Sequence, residues 1–174
     1  MKRAWAALRG AAAAALVHAA PVATSADGRW RVGGQGATVA VFDAGRLVKT
    51  LPARSLAGSA LSTVSDLRYL PQRRSFVIAF ETLPELWELS VDPDAPPVFD
   101  GLVHDYRMGE AIAAPGFLGV RRTPLDEPLD DFFFDSGYRH ALGATRPRAD
   151  GTPSAQVVNL DVRRRIATLP IAGM

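Results

Sequence analysis

The chain has no cysteine. Disulfides, thiolate metal centres and cysteine nucleophiles are excluded with it. The compartment is left open, because exported proteins often lack cysteine too. No apolar run reaches the roughly 18 residues that a membrane-spanning helix needs. Charge imbalance is also missing. Lys+Arg is 20 and Asp+Glu is 18, a net charge of +2 on 174 residues. The pI near 9.4 reflects a small surplus of arginine. Two charges are too few to make a nucleic-acid footprint. Catalytic signatures are absent as well: there is no HExxH, no G-x-S-x-G and no EF-hand pattern. Gly33-Gly34-Gln35-Gly36 lacks the Lys-Ser/Thr of a phosphate loop and is read as a strand-to-strand turn.

What is present is a globular composition, 48% hydrophobic and 22% charged. Helical periodicity shows only near the N-terminus and briefly at Met108–Ala114. The rest reads as short strands separated by turn residues.

Residues 1–26 have two readings. Lys2, Arg3 and Arg9 precede the small apolar run Gly10–Val17, and Ala23-Thr24-Ser25-Ala26 ends the segment in small residues. That is the layout of a secretory signal, and it predicts export, with residues 1–17 as signal peptide or incomplete N-terminus. Against it, Asp27-Gly28 is a turn dipeptide between two strand patterns. On that reading His18–Thr24 is a strand that belongs to the fold, within a domain of residues 18–174.

Internal repetition decides the fold class. Val39–Pro52 and Val157–Pro170 share Asp, Arg, Thr, Leu and Pro at identical offsets. Each copy reads as strand, Asp-containing turn, and second strand ending in Thr-Leu-Pro, with the Asp expected to accept from turn amides. Tyr69–Phe80 followed by Leu86–Val91 is a looser middle copy. Phe132–Gly143 opens a third unit. Units of about 40–50 residues built from short strands point to an all-β architecture of β-propeller blades. The alternative is a β-sandwich with chance similarity. About three blades fit in this length, whereas a closed ring takes at least four. The expectation is therefore a partial ring, either a fragment of a longer propeller or an arc completed by blades of other chains.

One stretch is more specific. Phe99–Glu110 (FDGLVHDYRMGE), continued by Pro115–Asp135 (PGFLGVRRTPLDEPLDDFFFD), resembles the cytochrome d1 haem domain family, and most nearly its NirF-like haem d1 biosynthesis branch. The resemblance covers roughly Asp66–Met174. It implies an eight-bladed periplasmic propeller that holds haem d1 or a haem d1 precursor at one end of its central channel. In the nitrite reductases of the family, a segment similar to Phe133–Tyr138 carries a distal histidine just before the Asp. Here that position is Phe134. With no CxxCH either, electron delivery from an attached haem c is not encoded in these residues. Both departures point away from nitrite reduction and toward a maturation role, with a tetrapyrrole as ligand and other maturation proteins or nitrite reductase as partners.

Candidate binding residues follow. His18 is a candidate axial ligand to the iron, since neutral imidazole suits haem iron. His104, beside Asp105, is a second candidate, although neighbours on a strand face opposite ways. Arg107, Arg121 and Arg122 lie in the family-like stretch. Guanidinium groups bind carboxylates bidentately, and haem d1 carries several carboxylates. Phe134 could line the pocket, since its family position faces the ligand. For each there is a plainer reading: a signal-peptide or strand histidine, a solvated loop histidine, a surface arginine, a ring packed between blades. His140 reads as a surface or between-blade residue. Asp126, Glu127, Asp130 and Asp131 read as an acidic loop, with Asp130 or Asp131 capping a turn. Two functions remain open: a propeller acting on a haem d1 precursor, with nitrite reductase-like haem d1 binding as a variant, or a non-catalytic module that binds another protein.

Overall fold

The computed structural model describes residues 20–56, 58–99, 113–145 and 154–171. They form three four-stranded antiparallel sheets. The first is a meander of β1 (Val22–Thr24), β2 (Trp30–Gln35), β3 (Thr38–Asp43) and β4 (Arg46–Pro52). The second contains β5 (Val64–Leu70), β6 (Ser75–Phe80) and β7 (Glu85–Ser90). Its fourth strand, β10 (Val120–Pro124), arrives only after an excursion carrying the two-residue strands β8 (Val98–Phe99) and β9 (Ala113–Ala114). The third sheet is a meander of β11 (Leu129–Phe134), β12 (His140–Thr145), β13 (Ser154–Asn159) and β14 (Arg164–Pro170).

The first strands of the sheets meet. β1 and β11 both pack against β5, which lies between them. β5 and β11 run in the same direction, since Ser65 donates to the Leu129 carbonyl and Arg68 reaches Asp131. Three meanders joined at their first strands are propeller blades around an axis, in an open arc. β1, β5 and β11 are innermost; β4, β10 and β14 are outermost.

The middle blade shows why the sequence folds this way. Every residue of β6, Ser75-Phe-Val-Ile-Ala-Phe80, is buried. Period-two alternation splits the strand between two cores. Phe76, Ile78 and Phe80 join Trp87, Leu89, Val32, Val39 and Val41 in the core shared with blade 1. Val77 and Ala79 join Leu86, Leu129, Phe132, Ala141 and Val158 in the core shared with blade 3. A strand covered on both faces reads as a continuous hydrophobic run, as this one does. Each of the large side chains contributes about 1.5–3 kcal/mol by leaving water.

The repeat read from the sequence corresponds to the outer hairpins β3–β4 and β13–β14. Their turns differ. Asp43 and Arg46 pair across a two-residue turn, Ala44-Gly45, with positive φ at both positions. Asn159 and Arg164 pair across four residues. The repeated Asp does not cap its turn. Asp43 takes the Arg29 guanidinium, and Asp161 takes Arg73 and Arg139. The turn amides of Asp161 and Val162 go to the Asn159 side chain instead. The amide-accepting role falls to the aspartates of the inner turns. Asp27 accepts from the Arg29 amide, and Asp135 from those of Arg139 and His140.

Three local expectations need correction. Gly33 and Gly34 are strand residues of β2, and only Gly36 of that run is in the turn. The reason is proximity: a Cβ on Gly34 would sit 3.0 Å from the Val64 Cβ, so glycine lets β2 approach β5. Asp130 and Asp131 lie on β11, where Asp131 pairs with Arg68 instead of capping a turn. Ala113 and Ala114 form β9, not the end of a helix. The only helical element among the described residues is the single 3-10 turn Pro71–Arg73. Val22–Thr24 is an integral strand, paired with β2 from Val22↔Gly33 to Thr24↔Arg31.

Candidate functional site

Three places in the arc bring chemistry-bearing side chains together. The first is the surface of the innermost strands. Arg68 on β5 donates to Asp66 Oδ2 at 2.9 Å and to Asp131 Oδ1 at 2.6 Å, tying blade 2 to blade 3. Its guanidinium carbon lies 5.5 Å from the centre of the Phe132 ring. Asp131 is 71% exposed, so this ion pair is open to water and to competing anions. Phe133 follows on the same strand, 58% exposed, while Phe132 beside it is buried. Phe134 ends β11 half-buried, its ring centre 5.4 Å from that of Phe132 and 5.9 Å from that of Tyr138.

The second place is a cavity of about 320 Å³ between the outer halves of blades 2 and 3, lined by Arg73, Glu88, Asp92, Arg121 and Asp161. Glu88, on β7, is buried. It accepts from Arg73 Nε at 2.7 Å, Arg73 Nη2 at 3.1 Å and the Ser75 hydroxyl at 2.9 Å. Arg73 also reaches Asp161 of blade 3. The Glu88 and Asp161 carboxylates hold the Arg73 guanidinium far above its ordinary value. Arg73, with Arg139, holds Asp161 below the usual carboxylate range. The site is therefore a charge-compensated clamp between blades.

The third place is a cavity of about 410 Å³ between β4 and β10, at the seam of blades 1 and 2. Arg122 lies over Trp87, its guanidinium carbon 4.3 Å from the ring centre. It donates to the Arg54 carbonyl at 2.9 Å and to Glu85 Oε2 at 3.2 Å. Glu85 also accepts from Trp87 Nε1 at 2.8 Å and from the Leu56 amide at 2.9 Å.

The sequence-read candidates distribute unevenly over these places. Arg121 and Arg122 are neighbours in sequence but point to opposite seams, as alternation along β10 requires. Arg121 donates to the carbonyls of Leu160 and Asp161 in blade 3, and its guanidinium is 3.5 Å from Glu88. Both arginines sit on the outermost strand of blade 2. Phe134 is the one described candidate on an innermost strand. His18, His104 and Arg107 lie outside the described residues, as does Asp105. His140 sits at the start of β12, with Nδ1 3.0 Å from Asp135 Oδ2 and Nε2 3.1 Å from Asn159 Nδ2. With the amide nitrogen donating, Nε2 accepts and Nδ1 carries the proton. Among the described residues no cluster of His, Asp and Glu has the spacing of a metal site.

Arg68 escaped the sequence reading. In Asp66-Leu-Arg-Tyr69 it is one arginine among many, and only strand order shows that β5 is innermost. The usable signal was the alternation in Val64–Leu70, which puts Asp66 and Arg68 on one face.

The fold and the inner surface define a class: an arc of β-propeller blades with a mixed-charge, aromatic-bearing set of innermost strands. Among known proteins, the chain is homologous to part of the dihydro-heme d1 dehydrogenase of Pseudomonas aeruginosa. The two are 33% identical over 157 residues, which is 88% of this chain and 27% of that protein. The chain thus spans about a quarter of that relative's length. A solved structure of dihydro-heme d1 dehydrogenase NirN in complex with DHE matches 88% of this chain and 28% of its own, with 30% identity and a TM-score of 0.65. Two more distant structures agree in fold alone. Hydrazine synthase of Kuenenia stuttgartiensis gives 10% identity and a TM-score of 0.58, covering 87% of this chain and 36% of its own. The Cps50 (Swd1) β-propeller domain of Myceliophteria thermophila gives 15% and 0.50, covering 87% and 42%. No family model matches the sequence.

Proposed function

We propose that this chain is part of a β-propeller that binds a haem d1 precursor and acts in its maturation, in a dehydrogenation-type step on the macrocycle. The observation that carries the reading is the homology with dihydro-heme d1 dehydrogenase across 88% of the chain.

The innermost strands fit such a ligand. A tetrapyrrole of this type presents a broad apolar face and several carboxylates. Arg68 offers an accessible guanidinium on one innermost strand, and Phe134 a half-buried ring at the end of the adjacent one. An entering carboxylate replaces Asp131, whose exposed pair with Arg68 is of the weak, solvent-screened kind. Arg68, not Arg121 or Arg122, is the described arginine so placed. His18, His104 and Arg107 complete the proposal as further candidates for iron and carboxylate contacts. When bound, the tetrapyrrole supplies the redox chemistry, and the protein supplies binding, orientation and electrostatics.

The finer assignment is a NirF-like role in the periplasm, in haem d1 maturation for nitrite reductase. It is supported by Phe134 at the position of the reductase's distal histidine and by the basic, alanine-rich N-terminal segment.

The test is a titration of the full chain with haem d1 and, separately, with its dihydro precursor, followed by Soret and red-region absorption. A saturable shift with either is expected. No shift with either one overturns the reading.

A further inference from the structure

We propose that the cavity between β4 and β10 is a second binding site, for a small organic acid with an apolar body. This inference is independent of tetrapyrrole binding, since the site lies on the outer strands and shares no residue with the innermost surface.

Charge is the first argument. Three cations line the cavity, Lys49, Arg54 and Arg122, and the described carboxylate that pairs with one of them is Glu85, on Arg122. Glu85 already has three donors, from Leu56, Trp87 and Arg122. The Lys49 ammonium donates to the Leu118 carbonyl at 2.8 Å, and no described carboxylate pairs with it. The Arg54 guanidinium is exposed at the rim and has no partner among the described residues. Among the described residues two positive charges are thus left for a ligand to neutralise, one of them on a guanidinium fork suited to a carboxylate.

The remaining wall is the second argument. Leu51, Val120 and Phe117 give an apolar lining, and the Phe117 ring stands edge-on to Trp30 at 5.8 Å. A void of about 410 Å³ is in the range of small-molecule sites. An inorganic anion would leave that lining wet, and a neutral apolar molecule would leave the cations unmatched. An aromatic or branched aliphatic carboxylate satisfies both.

The probe is 2-naphthoate, titrated into the full chain by calorimetry, with neutral 2-naphthalenemethanol as its uncharged counterpart. Saturable 1:1 binding is expected, with the alcohol about tenfold weaker, as for loss of one charge-assisted contact. Arg54→Glu is expected to weaken naphthoate by about tenfold or more. Arg31→Glu, on the opposite flank of blade 1, is expected to leave it unchanged. No saturable binding, equal affinity for acid and alcohol, or an unaltered Arg54→Glu overturns the proposal. The acid-versus-alcohol comparison needs no variant, so it decides the matter even if a substitution disturbs folding.

Discussion

Arg68 of β5 and Asp131 of β11 meet across the innermost strands of blades 2 and 3, with Nη2 2.6 Å from Oδ1. The contact joins residues 63 positions apart, with the Arg68 side chain 44% and the Asp131 side chain 71% exposed. It therefore holds a guanidinium in place at little energetic depth, about 0.2–1 kcal/mol for an exposed pair.

Arg68→Ala should separate binding from stability. Tetrapyrrole affinity is expected to fall about tenfold, by loss of one charge-assisted contact. The melting temperature should barely move. Unchanged affinity in the absorption titration, or a large fall in melting temperature, would contradict this assignment.

Glu88 should behave in the opposite way. Removing it leaves Arg73 and Arg121 without their buried partner and strips the Ser75 hydroxyl of its acceptor. Glu88→Ala is expected to cost about 3 kcal/mol in urea unfolding, the scale for breaking a buried pair on one side. Glu88→Gln keeps the side-chain volume and one of the two acceptor oxygens, and should lose less. A cost under about 1 kcal/mol for Glu88→Ala would show that the clamp is not holding the blades.

The turn of the first outer hairpin stores strain that can be relieved. Ala44 has φ of 46° and Gly45 has φ of 82°, the left-handed pair of a type I′ turn. A Cβ at the first position costs about 1 kcal/mol. Ala44→Asn or Ala44→Gly should therefore raise the melting temperature by a few degrees. A decrease would mean that the turn is not of this type in solution.

Acid should act through Asp135. The amide and ring of His140, with the amide of Arg139, hold its carboxyl at about 2, below its ordinary 3.8. A group with a depressed folded value gives stability that is complete above the unfolded value and lost as pH falls through the folded one. The contribution should thus fade between about pH 4 and pH 2. Asp135→Ala is expected to lower stability at neutral pH and to flatten that part of the stability-versus-pH curve. Parallel curves for the variant and the parent would disprove the linkage.

The sequence by itself determined the blades. Alternation in β13, the all-apolar β6, and the turn dipeptide Asp27-Gly28 are local properties, set by side-chain periodicity and allowed φ. The repeat of Thr-Leu-Pro strand ends was legible for the same reason. Tertiary structure decided which strand is innermost, and hence which arginine is available to a ligand. Arg68, Arg73, Arg121 and Arg122 look alike in sequence. Arg68 bridges the innermost strands of blades 2 and 3, and the other three lie in the outer halves of the seams, because strand order and the approach of neighbouring blades fix what each guanidinium meets. The return of β10 to blade 2 after the excursion from Val91 to Gly119 was hidden for the same physical reason: a strand's partner is chosen by long-range pairing, which no local pattern encodes.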